Sequence, residues 1–507
     1  MQVYILSTTR YFCALCVLVF TGAAFALLRV EEKRVRSLLE AAQVVSLGAF
    51  LLLSFLTLQA ARGGTLLLFG IIVTAVLIGA ILLYRFLYKE ANRSLFHTVC
   101  FLTGLGIVVL TRLNPATAYR QASFAGLGIL VALILPYFRN RFSYLKKPGI
   151  LYAAAGILML LIVLIFGTQV NGSNLNLRLF GVTFQLSELV KITFCLYLAS
   201  ALTKMESTRD EILLHVLALA HVGILVLSRD LGTAVIFYVV FFVVFYASTG
   251  KKGDLLAGAL LGAMGAVVCY LLFRHVQVRV QAFLDPWSVI ETMGYQISQS
   301  LFALGYGGVF GAGLTKGASS MIPFVETDFI FAAVAEELGI LTAVCVILLY
   351  LHTFLVIVKL SLDYVDAFAQ RFVFGIALTF IFQTFLTIGG EIKFIPSTGV
   401  TLPLVSYGGS SLLATYLMFT LVQVVHMLQE ERVRGFEERY RQEKQAELEA
   451  AYEAKYRARK KAALEAARQK EERKKREVYE ETEYNWDADT GEIDLTEFAE
   501  VTYDPDE

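Results

Sequence analysis

Four carboxylates, Glu326, Asp328, Glu336 and Glu337, occupy "ETDFIFAAVAEELG" at the start of an apolar run, and no Lys or Arg occurs between Lys316 and Lys359. Charge placed in such a run is costly and marks a candidate functional group. Two further polar sets sit at the edges of other apolar runs: Glu188 and Lys191 in "QLSELVK", and Asp230 in "SRDLGTA". Gathered with the loop cations Arg274, Arg279, Lys316 and Lys393, they would suit phosphate recognition combined with acid and base chemistry. Desolvation at the edge of a membrane could tune a carboxylate for the base's part. Each group also has a purely structural reading. Asp328 and Asp230 precede apolar helices whose free amides they could cap, and Glu188 and Lys191 can pair across one helical turn.

The elements that must position these groups are membrane spans. Of 507 residues, 57% are hydrophobic and only 17% charged, which excludes an ordinary soluble domain. The net charge of +1 gives no sign of a nucleic-acid partner, because the charges cluster between apolar runs and in the last part of the chain. The six cysteines all lie in apolar runs and read as packed or lipid-facing thiols. At about 20 residues per span, thirteen candidates emerge, near 11–28, 38–59, 64–84, 94–111, 119–137, 149–167, 187–203, 211–228, 231–248, 254–273, 329–351, 371–389 and 404–428.

Lys and Arg concentrate in alternate connections, such as "RVEEKRVR", "YRFLYKEANR" and "RNRFSYLKKP", and in the tail after Gln429. By the positive-inside rule that set is cytoplasmic, so the amino terminus is expected outside and the carboxyl terminus inside. Segments 168–186, 228–231, 274–328 and 390–403 then share the outer face with Asp328, Glu188 and Asp230. Within loop 274–328, Ile290, Met293, Ile297, Leu301 and Leu304 recur at helical spacing, as in a helix lying in the interface plane over a site. The glycine-rich "GYGGVFGAGLTKG" lacks the Walker spacing and a preceding strand. Its glycines point instead to tight turns or close backbone approach. In "SYGGSS", Gly408 and Gly409 allow close approach, and Ser410 and Ser411 could cap the last span. From Gln429 the tail reads as a solvated helix, then an acidic disordered end from 477 to 507, or else a docking site for a cytoplasmic partner.

Taken in order, "FQLSELVK", "RDLGTA", "GYQISQSLFALGYGGVFGAGL", "ETDFIFAAVAEELG" and "PSTGVTLPLVSYGGSS" resemble the SEDS family of shape, elongation, division and sporulation proteins, the FtsW/RodA-like group. The resemblance implies an all-α polytopic core of ten spans at 94–428. Around it stand three extra spans at 1–93 and a charged cytoplasmic tail at 429–507. It implies a peptidoglycan glycosyltransferase that polymerises lipid II on the outer face of the bacterial cytoplasmic membrane, for division or elongation. Its expected partners are a class B penicillin-binding protein acting as transpeptidase and, through the tail, cytoplasmic division or elongation proteins.

By the same resemblance Asp328 matches the family's essential aspartate, as general base or as a ligand for Mg or Mn. Glu188, Lys191 and Asp230 match family positions that shape the site. Arg279 and Lys393 would neutralise a pyrophosphate, and Gln296, Ser406, Tyr407, Gly408, Gly409 and Ser410 would shape the site or bind substrate. The chain departs from the family pattern in having Arg229 before Asp230, Glu326 before "TDFIF", and Glu391 and Lys393 in "GGEIKF". Two other functions compete: a flippase for lipid-linked precursors, which would call for polar groups at the midplane, and an inactive scaffold that recruits a transpeptidase.

Overall fold

The structure is a computed structural model that describes residues 2–170, 173–179 and 182–486. Its helices are α1 (Gln2–Leu27), α2 (Lys33–Arg62), α3 (Leu66–Leu87), α4 (Arg93–Leu113), α5 (Pro115–Ile134), α6 (Gly149–Phe166), α7 (Leu186–Thr203), α8 (Thr208–Leu227), α9 (Leu231–Thr249), α10 (Lys252–Leu272), α11 (Arg274–Leu284), α12 (Tyr295–Tyr306), α13 (Ile330–Leu362), α14 (Ala367–Glu391) and α15 (Gly409–Trp486). Among them 13 are long and apolar enough to cross a membrane, in register with the thirteen apolar runs. Helix starts follow local chemistry. Asn92 accepts from Leu95 N at the head of α4, Asp366 from Phe368 N at the head of α14, and Ser207 with Asp210 forms a capping box on α8.

Helix α4 is buried along its length, so it is the central post of the bundle, whereas α10 buries Gly258 and otherwise faces outward. Gly258 is where α10 touches the bundle closely, since a Cβ there would come 2.5 Å from the Phe242 ring of α9. Helices α1, α2 and α3 lie against α4 and α13, and join the same apolar core through residues such as Phe20, Phe50, Leu51 and Leu77.

Connections differ from the sequence expectation in three places. Segment 168–184 holds a small antiparallel sheet, β1 (Thr168–Val170), β2 (Ser173–Leu179) and β3 (Val182–Phe184), in the order β1-β2-β3. The signal was present: "NLNLRL" alternates polar and apolar residues with a strand's period. Loop 274–328 carries two helices, with α12 beginning at Tyr295 and an additional α11 immediately after the span. The "HVQVRVQ" of α11 alternates like a strand, and its helical state is decided by what it packs against rather than by its pattern.

The third difference lies inside α13, which breaks at Gly339, a residue at φ 89°. There the glycine-rich loop enters the gap. Ala312 N and Gly313 N donate to the carbonyls of Glu336 and Glu337, while Ile340 N and Leu341 N donate to Gly308 O and Val309 O. The loop thus satisfies the groups that the broken helix leaves open. Only glycine fits at the contact: Gly311 sits at φ +81°, and a Cβ there would lie 2.2 Å from Glu337 O.

Residues 432–486 form a separate unit, the exposed continuation of α15. Ion pairs at i,i+4 stud this stretch, for example Arg457–Glu453 and Lys475–Glu471. The acidic end from 487 to 507 lies outside the described residues.

Candidate active site

At one end of the spans a cavity of about 670 Å³ opens between α11, α12, the start of α13 and the end of α14. Helix α11 lays Arg274, His275, Val278, Arg279, Ala282 and Phe283 along it, at the spacing of one helical face. Asp328 enters from the turn before α13, Gln296 from α12, and Arg229 from the turn after α8. Apolar walls come from Leu272, Phe273, Met293, Phe324 and Ile395. The space is therefore amphiphilic, with three arginines, one histidine and one carboxylate set among apolar side chains.

Asp328 does not cap α13. The first residue of that cap is Phe329, with no side-chain bond to the helix amides. The amides are served instead by Glu391, whose Oε2 accepts from Ala332 N at 2.8 Å. Asp328 is thereby left to face the cavity, and burial pushes its carboxyl above the ordinary range, while the Thr327 hydroxyl and the Arg279 guanidinium pull it back. Arg279 donates to Ser397 O at 3.2 Å and meets Asp328 across the open Cα of Gly399. Burial lowers the Arg279 pKa, against the opposing pull of the Asp328 and Asp230 carboxylates.

"SYGGSS" forms the brace behind Asp328. Ser406 Oγ donates to Thr327 O at 2.5 Å and accepts from Leu402 N, and Tyr407 N donates to Glu326 O at 2.8 Å. Gln121 holds this brace to α5 by donating to Ser406 O and accepting from Gly408 N. Gly409 lies against Phe124, whose ring would be 2.5 Å from an added Cβ. Ser410 Oγ accepts from Gln185 N, tying the brace to the start of α7. None of these five residues lines the cavity; they set the turn from which Asp328 projects.

Glu188 and Lys191 are buried together. Lys191 Nζ donates to Glu188 Oε2 at 2.8 Å and to Gln383 Oε1 at 2.7 Å, and Gln383 Nε2 continues to Thr401 O. Asp230 caps α9 by accepting from Thr233 N, and receives a longer bond of 3.4 Å from Ser187 Oγ. Burial raises the Asp230 pKa, opposed by its Thr233 bonds and by Lys191. The network pins α7, α9, α14 and segment 397–405 to one another behind the cavity wall. Gln296 Nε2 donates to Pro323 O. Lys393 does not line the cavity; it lies near Asp285, whose carboxyl is held low chiefly by its Ser288 hydrogen bonds and to a lesser degree by Lys393.

Two cavity residues went unnoticed as such in the sequence. Arg229 sits at φ 60°, in the left-handed region at the end of α8, a position that glycine usually fills. A bulky residue in so uncommon a conformation is a functional pointer, and its place in "RDLGTA", ahead of Asp230, was the available signal. His275 Nε2 is buried without a hydrogen bond. Burial and the neighbouring Arg279 and Arg229 lower its pKa, which keeps the imidazole neutral. Glu336 and Glu337 prove to be interior acids: Glu336 Oε1 accepts from Ala318 N, and Glu337 Oε1 lies 2.6 Å from Arg112 Nε.

Fold and cavity together define a polytopic membrane protein able to hold an amphiphilic anion at one membrane face. Residues 93–431 match the cell cycle protein family FtsW/RodA/SpoVE, and the chain belongs to it. The peptidoglycan glycosyltransferase RodA of Mycobacterium leprae is 30% identical over 380 residues, covering 70% of this chain and 82% of that protein. FtsW of Thioalkalivibrio sulfidiphilus is 31% identical over 365 residues, covering 67% and 90%. Among solved structures, a chain of a peptidoglycan synthase complex that coordinates polymerization and crosslinking superposes with a TM-score of 0.59 at 31% identity. It covers 67% of this chain and 98% of that one. The rod shape determining protein RodA of Thermus thermophilus gives 0.50 at 29% identity, covering 67% and 97%.

Proposed function

We propose that this chain, a peptidoglycan glycosyltransferase of the FtsW/RodA/SpoVE family, polymerises lipid II in the Asp328 cavity on the outer face of the cytoplasmic membrane. The observation that carries this reading is the pairing of one desolvated carboxylate with an arginine-rich, part-apolar cavity. A glycan acceptor hydroxyl attacks the anomeric carbon of the donor, and its proton passes to Asp328. The new glycosidic C–O bond forms as the C–O bond to the polyprenyl pyrophosphate breaks. The leaving pyrophosphate carries negative charge, which Arg279, Arg274 and Arg229 are placed to stabilise. Neutral His275 supplies a hydrogen-bonding ring nitrogen to the same substrate, and the apolar wall suits the start of the prenyl chain.

In the alternative to direct base action, Asp328 would be the residue that helps to hold a magnesium or manganese ion at the pyrophosphate. Such an ion would neutralise further phosphate charge. Among the described residues no group of three or more His, Cys, Asp or Glu is arranged to hold a metal. The outer placement of the cavity follows from the Lys and Arg bias of the opposite connections. A class B penicillin-binding protein is the expected partner, by the likeness to the synthase complex. The tail after Gln429 is offered as a contact for cytoplasmic division or elongation proteins.

The test is purified protein, alone and with its cognate transpeptidase, incubated with lipid II, comparing wild type with Asp328→Asn. Wild type should yield glycan chains and the variant none, with lipid II binding retained. Absence of chains from wild type even with the partner present would favour the scaffold reading. Translocation of lipid II in sealed vesicles without polymer would favour a flippase.

A further inference from the structure

A second cavity, of about 770 Å³, lies at the opposite end of the spans from Asp328, between the helices that precede the family region and the core. Its rim carries Lys33, Arg36, Arg85, Lys89, Arg93 and Lys359. These cations cluster at the span ends: Lys33 and Arg36 open α2, Arg85 closes α3, Arg93 opens α4 and Lys359 closes α13. They therefore share one depth, that of a lipid headgroup. Leu27, Leu28, Val356 and Leu360 form an apolar wall beside them.

Carboxylates take up only part of this charge. Glu40 takes both Arg36 and Arg93, at 3.5 and 3.0 Å. Lys359 reaches the Leu28 carbonyl. Lys33, Arg85 and Lys89 make no ion pair among the described residues, although Glu90, Asp363 and Glu430 line the same cavity. Beneath them His352 is fully buried, and neither of its ring nitrogens has a well-formed hydrogen bond. Six cations at the ends of the spans, three of them exposed and outside any ion pair among the described residues, thus ring a cavity with an apolar wall, a lining suited to an anion that carries apolar chains.

We propose that this cavity binds the phosphate of an acidic phospholipid headgroup, with the acyl chains along the Leu27 and Leu360 wall. The shared chemistry is a phosphate ester, and the lipid is favoured over a soluble ester because the cations ring the ends of spans and an apolar wall adjoins them. Such a lipid would cement α1 to α3 onto the core, giving a task to helices that carry no catalytic group. The proposal is independent of the Asp328 chemistry, which occurs at the other face.

The full chain would be purified into phosphatidylcholine nanodiscs doped with phosphatidylglycerol, and bound lipid counted by native mass spectrometry after release. Wild type should retain phosphatidylglycerol selectively. The triple variant Lys33→Gln, Arg85→Gln, Lys89→Gln should lose affinity on the order of a hundredfold, about fivefold for each cation. A control with Arg141→Gln and Lys252→Gln, exposed cations outside the cavity, should retain lipid as wild type does. Thermal melting guards against misfolding: phosphatidylglycerol should raise the midpoint of wild type and of the control but not of the triple variant, and Lys89→Gln alone should show an intermediate rise. Displacement of the lipid by soluble glycerol phosphate would keep the phosphate site and reassign its source to a free ester. Equal retention by wild type and the triple variant, or no preference of wild type over phosphatidylcholine, would overturn the proposal.

Discussion

Arg279 and Asp328 face one another across Gly399, whose missing Cβ would lie 3.0 Å from Arg279 Nη2 and 3.5 Å from Asp328 Oδ2. Gly399 stands at φ +73°, so both its backbone and its lack of a side chain are needed for the two charges to share one space. The cation comes from helix α11 and the carboxylate from the turn before α13, at opposite ends of loop 274–328, and both meet the segment at 397–399.

That relationship sets the pH dependence. Burial raises the Asp328 pKa and Arg279 restrains the rise, so a base role puts the acid limb of polymerisation above the ordinary carboxylate range. Arg279→Gln removes a charge that favours the ionised form, and the limb should move to still higher pH. Initial rates of lipid II polymerisation across pH would read this, and a shift to lower pH would contradict the geometry. The linkage has a matching sign. A carboxyl whose folded pKa is raised contributes stability below its unfolded pKa, and that contribution is lost as pH rises through the folded value.

Arg229→Gly separates strain from function. The left-handed backbone costs a non-glycine residue about 1–2 kcal/mol, so glycine should leave the thermal midpoint unchanged or higher. Removal of a cavity cation should at the same time lower kcat/KM about tenfold or more. A fall in midpoint with unchanged kinetics would show Arg229 to be structural instead.

The pair Arg112–Glu337 tests the interior acids. Both side chains are buried, at 7% and 3% exposure. Arg112 also donates to Gly317 O, and Glu337 Oε2 accepts from Thr315 N. Glu337→Gln alone should cost about 3–5 kcal/mol by leaving the guanidinium unpaired, whereas Arg112→Met with Glu337→Met should cost less than the two single changes summed. Denaturation in mild detergent measures both, and additive losses would argue against a coupled pair.

Gly311→Ala should impair folding and yield, since the new Cβ would have to sit 2.2 Å from the Glu337 carbonyl at a positive φ. Gly305→Ala, in α12 with nothing within 4 Å of the added atom, should be tolerated. Membrane expression and melting of the two variants provide the comparison. Equal behaviour would mean that the loop does not seat in the break of α13.

Much of the architecture was legible in the chain itself. A span is a local property, because the bilayer demands about 20 apolar residues whatever their neighbours do, and the thirteen runs reappear as 13 spanning helices. Asp328, Glu188, Lys191 and Asp230 stood out for the same reason, as charge in costly surroundings. The glycines of 307–313 announced close backbone approach, but not that the partner would be the interrupted helix at Gly339. Helix α11 was not anticipated: its Val residues alternate, a period that does not announce a helix.

What sequence alone determined was therefore one-dimensional: which segments enter the membrane, which residues are polar there, and the family motifs that order them. Tertiary structure decided which of those polar groups share a cavity. It gave the capping of α13 to Glu391 and left Asp328 for the cavity, and it turned Glu188 and Lys191 into a buried brace. It also brought Arg229 and His275 beside Arg279 while keeping Lys393 apart. The physical reason is that a side chain's surroundings here come from helices distant in the chain, and no spacing along one helix encodes the company that another will supply.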